Sequence, residues 1–356
     1  MATRIRGLLI ATDYAPLPGG IARLLFELIR NSGDSVEWRI VTNAAGPAEP
    51  AVVRGSTLAL IASLPRQVRW LKAADEAFVV CGHLKLLGLA LVAGRFAGAP
   101  VGTIVYGREL LPRRSVHRLA VGMLCRSDRV VAISGYTAAV ALGCGAGRHQ
   151  IRTVLPVLRP SWSGCKPTRR SAGGLRVIAV ARLAEGYKNL EVLLRMVKAL
   201  STTGIVERLT VVGGGPRLAA LQAKVDRLGI AHLVRLTGPI GDEALAVLLR
   251  EAHVGLFPSR RSITEAGFEG FGLAVQELAA AGLPMIVGAC AGALDAALPE
   301  WSLLVDPDDL RAWVDAVAWL AANEDERMRM GEAAATWAES IDPTETARQF
   351  VEAIRT

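Results

Sequence analysis

The chain has 356 residues, 51% of them hydrophobic and 21% charged, which is enough for two domains with a core each. The longest apolar candidate, Leu86 to Gly94, is flanked by Lys85 and Arg95, and the five cysteines (Cys81, Cys125, Cys144, Cys165, Cys290) are scattered without a C-x-x-C pair. These features exclude a transmembrane helix, a disulfide framework and a cysteine zinc site. The net charge of +8 belongs to the first half, where residues 1–170 carry 23 Lys+Arg against nine Asp+Glu, while the remainder carries 18 against 24. No binding motif or aromatic stacking pattern accompanies the basic residues, so nucleic acid is not an expected partner.

In chain order, short apolar runs alternate with helical ones, the pattern of parallel sheets wound by helices. The run from Leu8 to Ala11 is too short for a signal-peptide core and leads into Asp13, so it reads as a first buried strand of a cytoplasmic protein. Strands are predicted over 7–12, 37–41, 76–80, 101–105, 130–133 and 153–155, with helices over 22–30 and 84–96. The first strand runs into D-Y-A-P-L-P-G-G, placing Gly19 and Gly20 where backbone N–H groups can meet a phosphate or sugar oxygen; a tight turn would need the same glycines. His83, in C-G-H-L-K, suits a substrate cleft or a helix start packed among loops. Arg108, Arg113, Arg114, Arg118, Arg126 and Arg129 crowd one segment and could meet an anionic acceptor or an acidic membrane leaflet, or simply be solvated. Glu109 lies among them, either an acceptor-binding carboxylate or a partner for Arg108.

The polar segment 156–174 breaks the alternation and reads as a linker. It separates a first domain, 1–165, from a second, 170–337. The tail 338–356 ends in an amphipathic helix over 344–354 expected to pack back on the first domain. Second-domain strands are predicted over 176–180, 209–212, 234–237, 254–257, 285–287 and 302–305, with helices over 190–200 and 216–228. Ligands in such sheets sit beyond the carboxyl ends of strands. There, Arg182 and Lys188 share a short loop, suited to neutralising a diphosphate or to a solvated helix entry. V-G-G-G-P follows another strand. In E-G-F-G-L-A-V-Q-E, from Glu269 to Glu277, a glycine-flanked turn opens an apolar helix, so the N–H groups of Gly272, Leu273 and Ala274 can face an anion. Asp308 or Asp309 reads as the N-cap of a helix from Leu310, in preference to a metal ligand, and no metal site is expected.

Taken in order, these motifs resemble the GT-B retaining glycosyltransferases of family 4 (glycosyl transferases group 1) over nearly the whole chain. The likeness rests on G-G near the start, V-A-I-S-G-Y-T, A-R-L-A-E-G-Y-K-N-L, V-G-G-G-P, L-T-G, F-P-S, the E-x7-E block and A-G-L-P. It implies an α/β fold of two Rossmann-like domains facing each other across a cleft, and a nucleotide-sugar donor, a UDP- or GDP-sugar, with no cofactor. By that likeness Arg182 and Lys188 bind the diphosphate, Glu269 the sugar hydroxyls and Glu277 the ribose. Phe271, Gly272 and Leu273 supply backbone contacts, Gly213 and Gly238 line the donor site, and Gly20 approaches the diphosphate. The implied acceptor is a hydroxyl group of a glycolipid, a lipopolysaccharide or a secondary metabolite; the basic first domain would suit an anionic or lipid-linked one and could touch the inner membrane face. Fixed cations at the leaving group can take the place of a divalent metal. One departure stands out: the family histidine that precedes a glycine is Tyr106 here, which offers a hydroxyl but no imidazolium. Two other readings remain open, a UDP-sugar 2-epimerase and a catalytically silent sugar-nucleotide binder.

Overall fold

The computed structural model describes residues 4–355, apart from Pro18, Ala48, 112–114, 157–159, Ser161, 164–172 and 263–266; for 115–117 it describes the backbone alone. The chain divides into two compact units, one of Met1–Leu158 with Asp342–Thr356, the other Arg159–Ile341.

The first unit holds seven parallel strands among its described residues, β1 (Ile5–Ala11), β2 (Glu37–Thr42), β3 (Val52–Arg54), β4 (Glu76–Cys81), β5 (Val101–Val105), β6 (Arg129–Ala132) and β7 (Ile151–Thr153), in the order β3-β2-β1-β4-β5-β6-β7. Leu8 to Ala11 are fully buried, as expected of a central strand covered on both faces. One core joins a sheet face to the helices Thr57–Lys72, Leu87–Ala97, Ser115–Gly122 and Gly135–Gly143 through Leu60, Leu64, Leu87, Ala90, Val121 and Ala141. The opposite face takes the helices Gly20–Asn31 and Pro343–Arg355, which pack on each other. Gly102 makes room for this tail: a Cβ there would lie 2.5 Å from Ile354.

One local expectation needs correction, and two elements form where none was expected. The strand predicted over 153–155 lies at Ile151–Thr153; Val154 makes the last ladder bond, to the Ala132 carbonyl, and Pro156 has no N–H to continue it. β3 escaped because it is three residues long and half-buried, so no alternation marks it. The helix Thr57–Lys72 escaped because Pro65 interrupts its pattern; Ser56 caps it by accepting the Ala59 N–H.

The second unit holds six parallel strands among its described residues, β8 (Leu175–Val180), β9 (Val206–Val212), β10 (Val234–Leu236), β11 (Val254–Phe257), β12 (Met285–Gly288) and β13 (Ser302–Val305), in the order β10-β9-β8-β11-β12-β13. Strand order reverses once in each sheet, between β1 and β4 and between β8 and β11. Loops leaving the two flanking strands diverge at such a point and open a crevice at their carboxyl ends.

Candidate active site

At the reversal in the second unit, the loop after β8 passes through one turn at Gly186–Lys188 to Asn189, whose left-handed φ of 50° swings the chain into the helix Leu190–Leu200. Asn189 Nδ2 donates to the Pro307 carbonyl at 2.7 Å and fixes that swing. Lys188 Nζ thereby comes within 2.5 Å of Glu269 Oε2, from the loop after β11. The two side chains are only 12% and 16% exposed, and the Ser259 hydroxyl donates to the same carboxylate oxygen at 3.3 Å. Burial works against the Lys188 ammonium. The adjacent Glu269 charge and its hydrogen bond outweigh that cost, and the Lys188 pKa is raised above the ordinary lysine value.

Close backbone packing holds the Glu269 loop in place. Gly292 N–H donates to the Glu269 carbonyl at 3.0 Å, and a Cβ on Gly292 would lie 1.9 Å from the Gly270 oxygen. Phe271 is buried, and Gly272, at φ 95°, turns the chain into the helix Leu273–Ala279. Helix geometry leaves the first amides, of Leu273 and Ala274, directed out of its start. Glu277 lies one turn on and is half-buried; its carbonyl accepts the Trp162 indole N–H at 2.9 Å. Gly213 N–H donates to the Gly238 carbonyl at 3.0 Å, and a Cβ on Gly213 would lie 2.0 Å from the Ala181 oxygen. The strand-end loops of β8, β9 and β10 therefore pack backbone against backbone.

Arg182 stands apart from this pair. Its side chain is 69% exposed, with a nitrogen 3.8 Å from Glu185. Behind the Lys188 loop a cavity of about 240 Å³ is lined by Glu191, Arg217, Lys224, Arg260 and Asp308, and these charges pair among themselves. After β13, Asp309 caps the helix Leu310–Ala322, Asp308 pairs with Arg260, and Asp306 accepts the Asp308 N–H.

At the reversal in the first unit, Gly19, at φ 134°, precedes the helix that begins at Gly20. Arg54 donates to the Ala15 carbonyl at 2.9 Å and ties this loop down. His83 Nδ1 accepts the Lys85 N–H at 3.2 Å, as a helix-start histidine does. Glu109 is buried and turns inward, Oε1 accepting from the amides of Tyr106 and Gly107. Tyr106 is 7% exposed, and its hydroxyl is buried with no hydrogen-bond partner among the described residues; burial first, then the Glu109 charge, pushes its pKa well above the usual tyrosine value. Arg118 and Arg126 are exposed, Arg108 is half-buried, and Arg129 donates to the Asp128 carbonyl. Arg113 and Arg114 lie outside the described residues, as does Cys165.

Residues 166–337 match the family model for glycosyl transferases group 1. Along 93% of both chains, the sequence is 27% identical to a GDP-mannose-dependent alpha-(1-6)-phosphatidylinositol monomannoside mannosyltransferase of Mycobacterium tuberculosis. The second unit carries the group 1 glycosyltransferase domain. The fold is shared with Anabaena HepE, solved with UDP and glucose, at TM-score 0.77 and 17% identity over 97% of this chain and 98% of that one. It is also shared with a sucrose-phosphate synthase from Thermosynechococcus elongatus, at TM-score 0.74 and 18% identity over 98% of both chains. Two Rossmann-like units of this kind make the GT-B fold, and the 2-epimerase and silent-binder readings give way to a transferase of sugar from a nucleotide sugar.

Of the residues singled out in sequence, the glycosyltransferase brings Lys188 and Glu269 into contact and sets Phe271, Gly272, Leu273 and Glu277 beside them in the same loop and helix. Sequence reasoning did not single out Ser259, Asn189, Gly292 or Trp162. Ser259 stood in the F-P-S motif without a role. Trp162, a lone aromatic in a polar stretch, was the one signal that residues near the linker bury against the second unit, where it is 5% exposed.

Proposed function

We propose that this glycosyltransferase is a retaining enzyme that moves a hexose from a UDP- or GDP-sugar to a hydroxyl acceptor, without a divalent metal in the transfer step. The observation that carries the reading is the buried Lys188–Glu269 pair at the strand-order reversal, beside the start of the helix Leu273–Ala279. Cleaving the anomeric C–O bond leaves negative charge on the diphosphate while positive charge develops on the sugar ring. Lys188, Arg182 and the amides of Gly272, Leu273 and Ala274 are assigned to the leaving group, where fixed donors stabilise charge formed in the transition state. Glu269 is assigned to the sugar hydroxyls and Glu277 to the ribose; the glycines at 213 and 238 let the donor approach the backbone closely. Because Glu269 already accepts bonds from Lys188 and Ser259, it is better suited to orienting hydroxyls than to forming a covalent intermediate. The acceptor hydroxyl then attacks from the face the leaving group departs from, and a donor phosphate oxygen takes its proton.

Gly19 and Gly20 are assigned to the donor diphosphate, His83 and Tyr106 to the substrate sugar, and the basic first unit to an anionic or lipid-linked acceptor at the inner membrane face. Glu109 is assigned a bracing role behind Tyr106. The alpha-(1-6) mannosyl transfer of the mycobacterial relative makes a lipid-linked acceptor and GDP-mannose the first pair to try. The deciding experiment offers UDP- and GDP-sugars with lipid and soluble acceptors, with and without EDTA, and reads the anomeric configuration of the product by NMR. Inversion at the anomeric carbon, or loss of transfer in EDTA restored by a divalent ion, would overturn the reading.

A further inference from the structure

From Ala77 to Ala184 the sequence carries two carboxylates, Glu109 and Asp128. Both are engaged with the backbone: Glu109 accepts the amides of Tyr106 and Gly107, and Asp128 Oδ2 accepts the Val101 N–H at 2.8 Å. The helix Thr57–Lys72 has no acidic residue either. The α-helices of these segments build the layer that covers one sheet face of the first unit and carry no carboxylate; Asp128 is exposed at the start of β6, beside that layer. Arg66, Arg69, Lys85, Arg95, Arg118 and Arg126 are exposed on it, and none is ion-paired among the described residues. Large apolar side chains stand out from the same helices: Leu58 is 77% exposed, Phe96 65% and Leu119 67%, with Ile61 and Val92 near half. The helices on the opposite face carry Glu27, Glu345 and Glu352, paired with Arg30 and Arg348.

We propose that this acid-free layer is the surface by which the first unit docks on an anionic lipid bilayer. Its arginines and lysine meet lipid phosphates while Leu58, Phe96 and Leu119 enter the headgroup boundary. The combination of unpaired cations with protruding, mostly aliphatic side chains spread over several helices favours a bilayer over nucleic acid, whose bases such side chains reach only by unstacking the duplex. A second copy of the chain is disfavoured because the face would meet its own positive charge. The inference deepens the proposed function and rests on its reading of the acceptor as membrane-borne.

The test is vesicle flotation of the full chain with phosphatidylcholine alone and with phosphatidylcholine mixed with phosphatidylglycerol, at low and high salt. Binding is expected to the anionic vesicles and to weaken with salt. Phe96→Ser combined with Leu119→Ser should lower the partition coefficient by about tenfold or more. Arg66→Glu combined with Arg69→Glu should lower it at least as far. Arg311→Glu, an exposed change of the same sign in the second unit, should leave it unchanged. Thermal shift with UDP- and GDP-sugars, run on every variant, reads the donor site separately. Vesicle binding by a chain that neither binds nor transfers from any nucleotide sugar would leave the docking face standing and remove the proposed function. Failure of the unaltered chain to float with anionic vesicles would overturn the docking face, as would binding to heparin equal to vesicle binding and insensitive to the apolar substitutions.

Discussion

Lys188 and Arg182 look alike in sequence, two cations in one loop, yet they are physically different groups. Lys188 is buried against Glu269, whereas Arg182 reaches into solvent beside Glu185. Replacing either with alanine should lower turnover by about a hundredfold, the scale of one lost donor to a developing charge. Lys188→Ala should in addition lower the melting temperature, because it strands a carboxylate that is mostly buried, while Arg182→Ala should not. Equal melting shifts in both variants, or near-normal turnover in either, would refute this division of roles. Tyr106 gives a prediction of opposite sign for stability and activity. Its buried hydroxyl has no partner among the described residues, so Tyr106→Phe should stabilise the free protein by about 1 kcal/mol and reduce kcat/KM about tenfold or more where the substrate supplies that partner. Thermal melts and steady-state kinetics on one preparation check both halves.

The pairing of β1, β2 and the helix Thr57–Lys72 depends on a charge placed inside. Arg6 is 5% exposed; its Nε donates to Glu37 Oε2 at 2.9 Å, another nitrogen donates to the Trp70 carbonyl, and its guanidinium lies over the Trp70 ring. The Arg6 hydrogen bond is the main reason that the Glu37 pKa is lowered. A carboxylate whose folded pKa lies below its unfolded value stabilises the fold above the unfolded pKa and loses that contribution as pH falls through the folded one. Glu37→Gln should therefore destabilise by about 1 kcal/mol near neutrality, a figure kept small because Glu37 is 44% exposed. The gap to the parent should close as the pH drops below about 4.5, the ordinary glutamate value. A gap unchanged between neutral and strongly acidic pH in denaturant titrations would rule out the ion pair as its source. At this scale the parallel strands were legible in sequence because burial on both faces writes continuous apolar runs. β3 and its following helix were not, since a half-buried edge strand and a proline-interrupted helix write no period.

Across the whole molecule, the last helix belongs with the first unit although the entire second unit separates them in sequence. Phe350 and Ile354 are fully buried there, and Arg355 pairs with Glu76 on β4. Ile354→Ala should cost about 2–5 kcal/mol, a large part of the roughly 5–15 kcal/mol that holds a domain folded. Deleting 342–356 should abolish cooperative unfolding of the first unit; retention of an unaltered melting profile would show that the helix is dispensable. The sequence alone determined the two alternating α/β halves, the basic first half and the ordered motifs of a sugar-nucleotide enzyme, because apolar periodicity, charge and close-approach glycines are local properties of the chain. Only the tertiary structure decided that Lys188 and not Arg182 pairs with Glu269, that Glu109 turns inward beneath Tyr106, and that the acid-free helices share one face. Each of those facts depends on which strands lie side by side and on the direction a loop takes as it leaves the sheet, and neither is written in the spacing of residues along the chain.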